Sequence, residues 1–190
     1  MKKAIAIAAV AGLAGTAAAQ TIHITADVTC ANPSDTITWT VSVTGLTAQT
    51  FVQAYDFNLN ASGDFGTASA FSDGLSAIVN PQAGAGLGAS LLGANGGQST
   101  TLDFLGTVFG DIVIGTFTVH AESEGFLSYS LSDGGVLGAN IVRTRQGSDF
   151  GPINFDGNFA VESDSVKITP TPASAALLGL GGLVALRRRR

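Results

Sequence analysis

The chain has 190 residues, 45% of them hydrophobic and only 12% charged, with 25 glycines and a single cysteine. That length suits one ordinary domain with processing segments and excludes a large multidomain enzyme. The formal charge of −5 hides a segregation: between Gln20 and Thr169 three basic residues stand against 14 acidic ones, a body of −11 that repels phosphate backbones and excludes nucleic acid as a partner.

Residues 1–19 read as a secretory signal peptide. Lys2 and Lys3 supply a positive start, Ala4 to Ala14 an uncharged apolar stretch, and Ala17, Ala18 and Ala19 the small residues a signal peptidase needs. The expected cut lies between Ala19 and Gln20. The stretch is too short to span a hydrocarbon core of about 30 Å.

From Gln20 to Thr169 the dominant pattern is alternation with period two, the signature of half-buried strands. Ile22, Ile24, Ala26 and Val28 share one face of a first strand. Ile37, Trp39, Val41 and Val43 share one face of a second, with Thr36, Thr38, Thr40, Ser42 and Thr44 opposite. Phe51, Tyr55, Phe57 and Leu59 line a third, interrupted by Gln53. Residues 61–110 are rich in Gly, Ala, Ser and Asn, and are expected to form loops, one short helix and one or two weaker strands. Their apolar patches are Leu75 to Val79, Leu91–Leu92 and Leu102 to Phe109.

Farther on, Phe117, Val119 and Ala121 alternate with Thr118 and His120, and Leu127, Tyr129 and Leu131 alternate with Ser128, Ser130 and Ser132. Phe159 with Val161, and Val166 with Ile168, suggest closing strands. Asp73-Gly74, Asp133-Gly134 and Asp156-Gly157 are dipeptides suited to positive φ at turns. One apolar and one Ser/Thr face per strand is what two antiparallel sheets stacked on a shared core require.

The chain then changes character. Pro170-Thr171-Pro172 stops any strand, because proline donates no ladder hydrogen bond. Ala173 to Leu186 follow, with Ser174 the only polar side chain, and Arg187, Arg188, Arg189 and Arg190 end the sequence. Fourteen residues make about 21 Å of helix, short of the usual span of about 20 residues. Starting the helix at Pro172 and letting Arg187 and Arg188 snorkel narrows the gap. The arginines are expected to stay cytoplasmic and the acidic body outside, the orientation an N-terminal signal also gives. An amphipathic soluble helix does not fit, since the apolar residues run all round.

The order Pro170-Thr171-Pro172, apolar Ala173–Leu186 and terminal Arg187–Arg190 resembles the PEP-CTERM sorting signals of Gram-negative bacteria. Thr171 stands where the family's name-giving glutamate would. The resemblance implies handling by an exosortase-type membrane protease, transient anchoring in the inner membrane, delivery to the cell envelope or extracellular matrix, and association with exopolysaccharide. A plain, unprocessed C-terminal anchor is the simpler alternative.

Asp35 to Val43 followed by Tyr55 to Asn60, and Ile114 to Val119 followed by Leu127 to Gly134, resemble strands of cohesin-type and related carbohydrate-binding sandwiches. This likeness bears on fold only. The expected architecture is an all-β antiparallel sandwich of seven to nine strands, jelly-roll or immunoglobulin/cohesin-like, with an N-terminal signal helix and a C-terminal membrane helix. The expected divisions are a signal peptide at 1–19, a sandwich at 20–169 and a sorting signal at 170–190.

Residues that carry chemistry are sparse. Cys30 has no partner for an internal disulfide, so it is buried, free or open to an intermolecular bridge; burial is the expectation for a small soft side chain. His23 and His120 fall opposite the apolar sets of their strands and read as solvated. No zinc spacing, nucleophile elbow, P-loop or dinucleotide fingerprint is present, so no catalytic residue, cofactor or metal ligand is assigned. Asp56, Asn58 and Asn60 on one strand face, with Asp64 following, could offer oxygen ligands to Ca²⁺. Trp39, Tyr55 and Tyr129 fall on apolar faces, which leaves Phe65, Phe71, Phe150 and Phe155 as the aromatics for stacking on a sugar. The expectation is a non-enzymatic exported envelope or matrix protein. The alternative is a surface-displayed carbohydrate-binding module, stabilised by Ca²⁺.

Overall fold

The computed structural model describes residues 20–75, 82–98, 108–135, 142–146, 153–155 and 159–170. Among these there is no helix. The elements are β1 (Thr21–Ala26), β2 (Cys30–Ala31), β3 (Thr36–Thr44), β4 (Thr50–Ala61), β5 (Gly66–Ala68), β6 (Ser72–Asp73), β7 (Gln82–Leu87), β8 (Ser90–Gly97), β9 (Ile112–Ala121), β10 (Gly125–Leu127), β11 (Tyr129–Asp133), β12 (Val142–Gln146), β13 (Ile153–Phe155), β14 (Ala160–Ser163) and β15 (Val166–Ile168). The expected signal and membrane helices, the Asp156-Gly157 turn and Phe150 lie outside the described residues.

One sheet has the order β14-β1-β3-β9-β5, with β6 beside β9; the other has β13-β12-β4-β8-β7, with β11 beside β4. Alternation sets the register. Ile22 faces Val43, Ile24 faces Val41, Ile37 faces Val119 and Trp39 faces Phe117, all inward. Between the sheets Trp39 stacks on Phe117 at 6.3 Å and meets Tyr129 edge-on at 4.9 Å, while Phe57 meets Phe71 edge-on at 5.5 Å. Offset and edge-to-face rings add about 0.5–1.5 kcal/mol per pair beyond their buried area.

Several expectations need correction. The sandwich is not purely antiparallel: β1 pairs β14, and β2 pairs β15, in parallel. Among the described residues short pieces raise the strand number to fifteen, and strands bend out of one sheet into a third, β10-β15-β2. At those bends carboxylates replace lost ladder partners. The Asp164 carboxylate accepts the Ala26 N–H at 3.0 Å, and Asp27 accepts the Thr38 N–H at 3.0 Å. Val28 therefore lies past the end of β1 and is exposed, as is Val161 on β14.

Phe51 does not share the face of Tyr55, Phe57 and Leu59. A register shift opposite Gln53 inverts the alternation, so Val52 joins the core and Phe51 packs on the other side against Phe109 at 5.3 Å. The described part of residues 61–110 contributes four strands, including the paired β7 and β8. The N–H of Phe71 donates to the Ala83 carbonyl and that of Ala68 to the Gly88 carbonyl, both at 2.8 Å, closing one side of the sandwich. Finally, neither Gly74 nor Gly134 adopts positive φ; at the second turn Gly135 does, with φ 94°.

Candidate functional site

Gln20 and Pro170 mark where the two terminal segments meet the sandwich. Gln20 is half-buried, and its carbonyl accepts the Ala160 N–H at 3.1 Å. Pro170 is exposed, directly after Thr169, whose N–H donates to the Ala31 carbonyl at 3.0 Å. Ala17, Ala19, Thr171, Pro172, Ala173 to Leu186 and Arg187 to Arg190 lie outside the described residues.

Because β1 continues into β2, β14 continues into β15, and both pairs run parallel, the chain enters at one pole of the sandwich and leaves at the other. The Gln20 pole holds the β3–β4 turn, since Thr21 pairs with Thr44. The Pro170 pole holds Gly125, paired with Ile168, and the β9 end at Ala121, whose N–H donates to the Asp35 carbonyl at 2.9 Å.

The sheet β10-β15-β2 forms one flank of the Pro170 pole. Leu127, Val166, Ile168 and Ala31 point inward and are buried. The opposite phase puts Phe126, Lys167 and Cys30 in one cross-strand row on the outside. Phe126 is 61% exposed, and the Lys167 ammonium sits 6.0 Å from its ring centre. Cys30 is exposed, contrary to expectation, because Ala31 occupies the inward position of this two-residue strand.

Beside this pole, Asp64 and the β7–β8 turn border a shallow pocket of about 330 Å³ that includes Leu87, Gly88 and Ser90. Gly88 has φ 57° and lies against the Asp64 carboxylate, where any Cβ would collide. The Ser90 hydroxyl accepts the Ala61 N–H at 3.0 Å. The pocket offers one carboxylate and one hydroxyl from its lining side chains. General acid–base cleavage of a glycosidic bond would require two carboxyl groups facing each other.

The oxygen-rich set proposed for Ca²⁺ is not assembled as one cage. The Asn58 side-chain amide donates to the Asp133 carbonyl at 2.7 Å, and its oxygen accepts the Gly93 N–H at 2.7 Å. Asn60 donates to the Ser132 hydroxyl at 2.9 Å. Asp56 is fully buried beside Gly134, whereas Asp64 lies past the end of β4 against Gly88. Among the described residues no three His, Cys, Asp or Glu side chains are grouped to hold a metal ion. His23 bridges Thr44 at 2.9 Å and Glu162 at 3.3 Å, and His120 is exposed.

The aromatic residues divide sharply. Trp39, Tyr55, Tyr129 and Phe71 are core. The Tyr55 hydroxyl donates to Asp73 at 3.0 Å and that of Tyr129 to the Ala89 carbonyl at 2.8 Å. Burial raises both phenols above their ordinary range, and the Asp73 charge and hydrogen bond add to the effect on Tyr55. Phe65 is packed against the core, and Phe155 lies on β13. Phe109 is exposed at its edge of the sandwich, and Phe126 more fully. The parity of Phe126 with Ser128, Ser130 and Ser132 was the available signal.

No family model matches the chain, and no curated protein matches it by sequence. Solved structures are similar in fold. The second type II cohesin module of the adaptor scaffoldin ScaA of Acetivibrio cellulolyticus superposes with a TM-score of 0.53 at 10% identity, over 80% of this chain and 95% of that one. The third cohesin of ScaC from Acetivibrio cellulolyticus, in complex with the ScaB dockerin, gives 0.52 at 11% identity over 78% and 98%. A non-cellulosomal cohesin from the archaeon Archaeoglobus fulgidus gives 0.50 at 12% identity over 84% and 96%. The body is thus an all-β sandwich with a cohesin-like fold.

Proposed function

We propose that this chain is an exported, non-enzymatic binding module of the cell envelope or extracellular matrix. Residues 1–19 address it to the export machinery and are removed by signal peptidase before Gln20. Residues 170–190 then hold it in the inner membrane, with the arginines cytoplasmic, until an exosortase-type protease cuts near Pro170-Thr171-Pro172. The observation that carries this reading is a cohesin-like sandwich bracketed by two address-like segments that meet it at opposite poles. A neighbour in the same fold is seen holding a dockerin, which supports a binding role over a catalytic one.

The carbohydrate-binding alternative has less behind it. It asks for an exposed aromatic pair, and Phe126 and Phe109, the exposed rings among the described residues, belong to opposite poles. The test is the intact mass and cell fraction of the protein made in its own host. We expect mature protein outside the cytoplasm, beginning at Gln20 and lacking Arg187–Arg190. Retention of the arginine tail in mature protein would refute processing, and a cytosolic full-length form would refute export.

A further inference from the structure

We infer that the Phe126–Lys167 row on the outer face of β10–β15 is a lipid-contact surface, lying on the headgroup layer of zwitterionic phospholipid while the tail is inserted. This rests on the reading of residues 173–186 as membrane-embedded. Lys167 is three residues before Pro170, and Pro170-Thr171-Pro172 reach at most about 11 Å when fully extended. So short a tether keeps the Pro170 pole close to the bilayer.

What that pole presents fits the interface. Phe126 is a ring exposed to 61% on a strand whose neighbours Gly125 and Leu127 are half-buried and buried. The Lys167 ammonium stands at its face at 6.0 Å, so the pair joins an apolar plate to a phosphate-seeking cation. Leu87, 67% exposed at the β7–β8 turn, adds an apolar tip beside the same pole. Asp35, Glu122 and Glu124 lie at that pole too, with Glu122 accepting the Thr67 hydroxyl at 2.6 Å. They disfavour an anionic surface, which selects headgroups without net charge. The Gln20 pole, at the far end of the sandwich, faces outward.

Cys30, the single cysteine, stands next to Lys167 in this row and can carry the reporter. The mature chain, from Gln20 to Arg190, is labelled there with a fluorophore and reconstituted in phosphatidylcholine vesicles bearing a headgroup quencher. A second sample carries the label at Ala48→Cys, in the exposed turn of the opposite pole, with Cys30→Ser. We expect quenching at position 30 to exceed that at position 48 several-fold. Combining Phe126→Ser with Lys167→Gln is expected to reduce the position-30 signal at least twofold, with vesicle flotation unchanged. Equal quenching at both positions, or a position-30 signal indifferent to the double variant, would overturn the docking alone. Failure of the mature chain to float with the vesicles would overturn the tail reading and this inference with it.

Discussion

In β3, Ile37, Trp39, Val41 and Val43 are fully buried while Thr36 to Thr44 face outward at alternate positions. The β7–β8 pair has few such side chains: in Gln82–Leu87 every residue is exposed or half-buried, and β8 contributes Leu91 and Ala94 to the core. What holds this pair is close approach of backbones. A Cβ on Gly97 would collide with the Gln53 carbonyl and lie 2.9 Å from the Ala54 Cα, and one on Gly86 would lie 2.8 Å from the Ala68 carbonyl oxygen. One region is fixed by what its side chains fill, the other by side chains it lacks. Only the first writes a periodic signal into the chain.

The sharpest way to break this contrast is at Trp39. Trp39→Ala removes the ring between Phe117 and Tyr129, and is expected to cost about 3–5 kcal/mol in chemical denaturation. Thr40→Ala, on the outer face of the same strand, is expected to stay within about 0.5–1 kcal/mol. A comparable loss at both positions would mean that β3 is not held by its inner face.

The glycine-rich region answers to the reverse substitution. Gly97→Ala adds a methyl against the β4 backbone and is expected to cost about 1–3 kcal/mol. Gly93→Ala meets nothing within 4 Å but sits at φ 73°, and is expected to cost about 1–2 kcal/mol from conformation alone.

A gentler probe joins the two regions, because Tyr55 of β4 reaches Asp73 and Tyr129 of β11 reaches Ala89 at the β7–β8 turn. Both phenols have folded pKa values raised above the unfolded value of about 10. Their contribution to stability is therefore complete below about pH 10 and declines as pH rises beyond it, since the unfolded chain then loses protons that the folded chain keeps. These are the only two tyrosines. Phenolate absorbance in an alkaline titration is expected to appear only together with unfolding. Tyr55→Phe should cost about 0.5–1.5 kcal/mol at neutral pH. A phenolate signal near pH 10 from a still-folded protein would contradict the burial of these rings.

The strands with strict alternation were readable in advance, and Trp39, Phe117, Val119, Leu127 and Val166 lie in the core where their parity put them. Phe126 was missed in favour of Phe65, Phe71, Phe150 and Phe155, although its phase with the serines that follow it carried the signal. Phe51 and Cys30 were not readable. Phe51 depends on a register shift that one strand cannot announce, and Cys30 on the bend that carries β2 into a different sheet. The Ca²⁺ idea failed to assemble for a related reason: strand parity aligned Asp56, Asn58 and Asn60, but cross-strand neighbours use both amides.

Alternation along the chain is a local property, so it suffices to specify strands and inward faces, as composition alone suffices to show an acidic body between basic ends. Parallel pairing of the first and last strands, the sealing of the sandwich by Ala68 and Phe71, and the placement of Gln20 and Pro170 at opposite poles join residues far apart in the chain. Those choices follow from which backbones can approach and share hydrogen bonds once the core has closed, and no spacing within a single segment encodes them.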